Sequence, residues 1–293
     1  LLHPLEEQRK SVGEWRQIGL GIFGLADMLI KLGYTYGTRD AKILCHKIAR
    51  TMTTAALRSS AKLAVTDGAY PKFKKNEVMN SKFFNEHFDD ETWKLVDIYG
   101  LRNSQLLTIA PTGSLSTMLG VSGGIEPIFD THYTRKTESL HGEDVYYTVY
   151  TPIVEKYMKE HNIEDVKDLP DFFVTAKTLE GKDRVEMQAA WQDHIDASIS
   201  STVNLPESAT VEDVMELYIH AWKMGLKGLT IFRENCARLA ILTSGDKKEE
   251  EYEELEEENQ PKFDHIVPVS REELGGRLNG STYVKDIACG KLY

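Results

Sequence analysis

The sequence predicts an α/β fold, and three observations carry that reading. Apolar residues recur at helical spacing in several long segments. Short β-branched apolar runs fall between them, and glycine or proline closes most segments of both kinds. The alternation fits α/β or α+β; α/β is the expectation. Trp15, Ile18, Ile22, Leu25, Leu29 and Leu32 describe one face of a helix that Gly33 ends. A second helix is expected from Asp40 to Val65. Leu106 to Ala110 reads as a short buried strand that Pro111 stops. A third helix is expected from Val185 to Ile199. The fourth starts at Thr210, whose hydroxyl can cap it together with Asp213, and turns Val214, Leu217, Tyr218 and Ala221 inward. Gly225 stops that helix, and Gly228 to Phe232 reads as a strand. No internal repeat is evident.

Composition narrows the function classes. The 293 residues can bury a sizeable core, in one large or two ordinary domains. No apolar run approaches the ~20 residues needed to cross a bilayer, and no signal peptide opens the chain, so no membrane association is expected. Leu1 in place of methionine points to a cut or processed start. Three cysteines, Cys45, Cys236 and Cys289, are too few for a secreted disulfide framework, so a reduced, cytoplasmic protein is expected. Nine acids and two lysines between Asp246 and Glu258 carry most of the net charge of -11. The remainder is mildly acidic, with no basic patch for nucleic acid. The run Glu249–Glu258 reads as a solvated linker or exposed helix, with an acidic interaction tail as the sharper alternative.

Two cofactor patterns can be weighed on the residues. Gly19-Leu20-Gly21-Ile22-Phe23-Gly24 fits Gly-x-Gly-x-x-Gly, with Asp40 at a distance suited to a ribose contact, as in an NAD-dependent enzyme. That fingerprint needs a strand before its first glycine. Here the helical period from Trp15 through Ile22 puts the glycines inside a helix, where small residues allow close packing. No Cys-x-x-Cys or Cys/His cluster is present, so no metal site is expected. Cys45 lies on an apolar helical stretch and reads as core. Cys236 reads as a half-buried structural thiol, although basic neighbours could lower its pKa.

The segment Ile109-Ala110-Pro111-Thr112-Gly113-Ser114-Leu115-Ser116 is the most informative in the chain. A strand stopped by proline runs into small residues with hydroxyls and a glycine, so backbone N–H groups can converge on an anion. Taken alone, Pro-Thr-Gly-Ser also fits an ordinary turn. The longer string resembles the large subunits of ribonucleotide reductases. Leu101-Arg102-Asn103-Ser104 leads into the turn and Ser122-Gly123-Gly124-Ile125-Glu126-Pro127 closes it. The blocks Arg16–Leu29, Ala197–Pro206 and Gly225–Arg233 match further family blocks in the family's order, covering most of residues 12–240.

The resemblance implies a ten-stranded α/β barrel whose C-terminal part occupies residues 1–243, then an acidic linker over 244–262. Residues 263–293 would begin a truncated C-terminal domain: Gly280–Tyr293 looks like the opening of the small domain on many adenosylcobalamin-dependent reductases. It implies reduction of a ribonucleoside di- or triphosphate by a thiyl radical, as in ribonucleoside-diphosphate reductases. A thioredoxin- or glutaredoxin-type reductant and a homodimer are the implied partners. Ala110, Pro111, Thr112, Gly113, Ser114 and Leu115 would hold the substrate phosphates, with Ser116 flanking them. Glu126 reads better as a helix-capping or loop-bracing carboxylate than as a catalyst, and Tyr133 and Arg135 are candidates by proximity only.

The family's Asn-x-Cys-x-Glu finger loop is absent from this sequence. No catalytic residue is therefore expected in the chain, which would be inactive without the missing N-terminal half. A non-catalytic phosphate-binding module or split-gene subunit is the alternative. Reductases fed by a separate small subunit carry adjacent tyrosines where this chain has Thr230 and Ile231. Neither side chain can relay a radical, so adenosylcobalamin is the expected cofactor; no glycyl-radical loop is recognisable.

Overall fold

The computed structural model describes residues 3–137, 145–234, 285–287 and 290–292. The acidic linker, Cys236, Cys289 and most of the expected tail lie outside them. The chain divides into two units, Leu1–Lys247 and Lys248–Tyr293. In the second, the described strands β5 (Lys285–Ile287) and β6 (Gly290–Leu292) pair antiparallel. The first contains the parallel strands, the helices and the candidate site.

Its first helix, α1 (Glu6–Trp15), ends where Arg16 takes a left-handed φ of 49°. The expected helix through Trp15–Leu32 is therefore not formed. Residues 18–20 run extended beside 105–108: Ile18 N donates to Gln105 O at 3.0 Å, and Thr108 N donates to Leu20 O at 3.0 Å. Helix resumes only at α2 (Leu25–Lys31), after Gly24. The three- and four-residue spacing of the apolar residues is thus shared between a helix end, a strand and a second helix. The glycines have a packing reason, different from the one inferred. A Cβ on Gly21 would stand 2.1 Å from Thr108 O, and one on Gly19 would stand 2.5 Å from Thr108 Cγ2. Because the extended run 18–20 already contains the first glycine instead of ending before it, the dinucleotide fingerprint is not met.

Helix α3 (Arg39–Asp67) realises the second expected helix, capped by Thr38, whose side chain accepts from Ala41 N. Cys45, Ala49, Leu57 and Ala61 bury one stripe of it in the main core. Burial pushes the Cys45 thiol up to about 11, as a core cysteine requires. Three short helices follow: α4 (Lys75–Met79), α5 (Lys82–His87) and α6 (Asp90–Tyr99).

The segment Leu106–Ala110 then forms bridges on both sides. Leu107 pairs with Leu20 and Ile109 pairs with Ile199, both parallel. Helix α7 (Gly113–Leu119) comes next, then the antiparallel pair β1 (His132–Thr137) and β2 (Val145–Tyr150), and α8 (Pro152–His161). Helix α9 (Gly181–Gln192) is buried on nearly every side. It stops short of the expected Ile199. Trp191, Ile195 and Ile199 are all buried four residues apart, which imitates a helix, but residues 197–200 pair with 107–109 instead.

Strand β3 (Thr202–Leu205) continues that path and pairs parallel with β4 (Thr230–Arg233), with Val203 opposite Ile231. Between them α10 (Val211–Lys223) has the expected Thr210–Asp213 capping box. Leu217 and Ala221 are buried and Val214 packs against them, but Tyr218 is 48% exposed. Gly225, at φ +75°, ends the helix region. The parallel strands are therefore ordered as they occur in the chain, the signature of repeated strand–helix–strand crossovers.

A row of three histidines joins α3, α5 and the end of α9. His87 Nδ1 lies 2.6 Å from Phe83 O, which can only accept, so this nitrogen carries the hydrogen. His87 Nε2 then accepts from His194 Nδ1 at 2.7 Å, and His194 Nε2 accepts from His46 Nδ1 at 3.1 Å. With these roles, a proton added at His194 Nε2 would take away the acceptor that faces His46 Nδ1. Burial, with His87, His46 and Arg50 adding positive charge, holds His194 down to about 4.

The unfolded chain takes up a proton at His194 near its ordinary pKa and the folded chain only near 4. This contribution to stability is therefore full above about pH 6.5 and lost as pH falls toward 4. Thermal unfolding should show a smaller Tm loss between pH 7 and 4.5 in His194→Gln than in the wild type. Equal losses would mean that the row does not sense pH. A second measurement tests the strand approach. Gly21→Ala should cost about 3 kcal/mol in denaturant unfolding, because its Cβ meets backbone. Gly13→Ala, on α1 with nothing within 4 Å, should instead gain up to about 1 kcal/mol.

Candidate functional site

The site lies at the C-terminal end of the doubly bridged strand, where open α/β sheets place their ligands. Pro111 cannot donate to a sheet neighbour, so pairing stops there and the chain turns. Thr112 is the residue before α7, and Ser116 N makes the first return bond, to Thr112 O at 2.7 Å. The amides of Gly113, Ser114 and Leu115 precede that bond and have no acceptor within the helix. Residues 113–115 are exposed, so these amides lie at the surface. Ser116 is buried and its hydroxyl donates back to Gly113 O at 3.1 Å. Gly113 has no positive φ, and a Cβ there would meet nothing within 4 Å. The fold therefore does not demand glycine at this position.

Thr112 faces inward instead of capping α7. Its Oγ1 accepts from Gly124 N at 2.9 Å, tying the turn to the Ser122–Glu126 loop. That loop is held from several sides. Buried Asp27 accepts from Ser122 N at 2.7 Å, and Gly24 N donates to Ser122 O at 2.8 Å. Glu126 Oε1 accepts from Thr202 N at 2.9 Å and lies 3.3 Å from Arg184 Nη2. Glu126 is thus a brace between the loop, β3 and α9.

The structure brings Thr112, Gly113, Ser114 and Leu115 together at the start of α7, the last three exposed, with Ala110 and Pro111 leading in. Tyr133 and Arg135 lie in β1, and their side chains are outside the description. Reading along the sequence missed the supports beneath the turn: Asp27, Tyr36, Arg184 and Asp196. Asp27 carried a signal, as a lone acid in an otherwise apolar helix. Arg184 carried none, since its partners are distant in sequence. Among the described residues no group of histidine, cysteine and carboxylate side chains could hold a metal ion. No described helix is long and apolar enough to cross a membrane.

Comparison with known proteins shows the family. The family model for the ribonucleotide reductase barrel domain matches residues 2–232. A vitamin B12-dependent ribonucleoside-diphosphate reductase of Mycobacterium tuberculosis is 31% identical over 262 residues, covering 84% of this chain and 35% of the relative. Another from Thermoplasma acidophilum is 31% identical, covering 86% of this chain and 33% of the relative. The ribonucleoside-diphosphate reductase large subunit of Caenorhabditis elegans is 28% identical, covering 84% of this chain and 34% of the relative. The chain spans about a third of the length of these relatives. With strands in series, a turn at their C-terminal end and a family match across residues 2–232, this chain belongs to the ribonucleotide reductase barrel-domain family.

Proposed function

We propose that this chain is the phosphate-holding part of a ribonucleotide reductase, and that the Thr112–Leu115 turn anchors the terminal phosphates of a ribonucleoside di- or triphosphate. The observation that carries the reading is the exposed start of α7, where the amides of Gly113, Ser114 and Leu115 have no acceptor within the helix. The turn is neutral and has no oxidisable side chain, which suits an anchor beside a radical reaction. Fixing the nucleotide by its phosphates leaves the ribose oriented for attack, a contribution that can lower a barrier substantially. The described parallel strands would be the C-terminal part of the ten-stranded barrel, with residues 244–262 as linker. The homodimer, the dithiol reductant and the N-terminal half with the radical cysteine belong to the complete enzyme. Cys45, buried and held protonated, is no substitute for that cysteine.

Adenosylcobalamin is proposed as cofactor because relatives are named vitamin B12-dependent and because Thr230 and Ile231 offer no tyrosine relay. No seat for it is assigned among the described residues. A cavity of about 390 Å³ beside Glu180, Leu205 and Leu217 suits a small ligand and not a corrinoid with its nucleoside. No step is therefore assigned to cobalamin within this chain.

In the complete enzyme, Gly113→Val should raise the substrate KM about tenfold or more, by filling the space before the amides, while Ser116→Ala should stay within about threefold. Equal Michaelis constants would place the phosphates elsewhere. The complete enzyme should be active with adenosylcobalamin and a dithiol, without a small subunit and in the presence of hydroxyurea-type radical quenchers. Residues 1–293 alone should reduce nothing. Activity only with a metal-loaded small subunit would remove the cobalamin assignment and leave the reductase reading standing.

A further inference from the structure

Arg184 is a buried cation whose contacts converge on the loop beneath the turn. It sits in α9 at 3% exposure. Its Nη1 donates to Ile125 O at 2.8 Å and to the hydroxyl of Tyr36. Its Nε donates to Thr202 O at 3.3 Å, and Nη2 pairs with Glu126 Oε1 at 3.3 Å. The Tyr36 hydroxyl, itself buried, donates to the same Ile125 O at 2.5 Å. One backbone carbonyl therefore receives two side-chain donors, one from α9 and one from the turn between α2 and α3.

Burying a guanidinium is costly, and a well-packed apolar residue would often be at least as stabilising. What the charge supplies here is directional: it fixes Ile125 and Glu126 along more than one axis. Ile125 is joined to Gly124, whose N–H holds Thr112 Oγ1. Gly124 lies close under the strand end, since a Cβ there would stand 3.4 Å from Ile109 Cγ2 and 3.9 Å from Ala110 O. Gly123 is similarly near Ser116 Oγ and Thr112 Oγ1, at 3.6 and 3.7 Å from a Cβ. A shift of Ile125 would carry Gly124 with it and move Thr112.

We infer that Arg184 and Tyr36 are positioning residues for the phosphate turn, acting through Ile125 and Gly124 on Thr112. The inference rests on the phosphate reading of that turn and adds the pair that sets its geometry. Neither residue touches the nucleotide.

The test uses the complete enzyme with Tyr36→Phe, Arg184→Lys and Gly113→Val, following kcat, KM and the Ki of inorganic pyrophosphate as competitor. Tyr36→Phe removes one oxygen and keeps the ring, so it serves where Arg184→Lys does not fold. The expected result is a KM and a pyrophosphate Ki raised in parallel by about tenfold in Tyr36→Phe, with kcat within about twofold. Arg184→Lys, where folded, should move both constants in the same direction. A merely structural role would lower the active fraction, and so kcat, with KM and Ki unchanged; that result overturns the inference. If Gly113→Val raises both constants but Tyr36→Phe does not, the positioning inference fails and the phosphate reading stands. If Gly113→Val also leaves both unchanged, the phosphate reading fails and takes the inference with it.

Discussion

The strand through Leu107 and Ile109 has a neighbour on each side, and this double pairing decides where the site can be. Both side chains are about 1% exposed, so a shift along the strand would break ladder bonds on two sides and disturb core packing. On one side the approach is so close that Gly21 has no room for a Cβ beside Thr108 O. On the other, Asp196 accepts from Leu106 N and Leu107 N, each at 2.7 Å, and fixes where the strand begins. Burial pushes the Asp196 carboxyl up, while the two amides and Lys227 oppose that shift. Pro111 fixes where it ends. The turn that follows inherits its position from a strand that cannot slide.

A second layer fixes the orientation of the turn. Asp27 grips the Ser122–Glu126 loop at its first amide, and Arg184 with Tyr36 grips it at the Ile125 carbonyl. Each unpaired buried charge would cost several kcal/mol, so these groups are tolerable only because their partners are in place. Burial pushes the Tyr36 hydroxyl up to about 12 even though Arg184 opposes it, so it remains a donor across the working pH range. Glu126 belongs to the same layer, where it accepts from Thr202 N and pairs with Arg184.

What was legible in the sequence follows the range of the forces involved. Helices α3 and α10 announced themselves through local signals, an apolar stripe and a capping threonine, and formed close to their expected limits. The stretch from Arg16 to Gly24 did not, because its apolar spacing fits a helix while its three glycines, each costing about 1 kcal/mol in one, argue against it. Weighing the glycines more heavily would have found the strand. The end of α9 is not marked by its apolar spacing, because buried residues four apart also occur where a turn leads into a strand. The candidate turn was legible as chemistry, in its small residues and hydroxyls. Its supports were not, since Asp27 bonds a residue 95 positions away and Arg184 bonds one 59 away.

An anchor made of amides places unusual weight on that support. A lysine attracts phosphate over several ångströms and tolerates misplacement, whereas N–H donors weaken steeply away from about 2.9 Å and linear geometry. The first turn of α7 adds at most about half a unit of positive charge. On the proposed reading, then, affinity depends on where three amides point more than on net charge. Gly113 fits that logic from the other direction. Its backbone does not require glycine, and nothing in the fold lies within 4 Å of where a Cβ would stand. On the proposed reading, a glycine that neither the backbone nor the packing requires leaves room for a ligand to come within hydrogen-bonding distance of the amides.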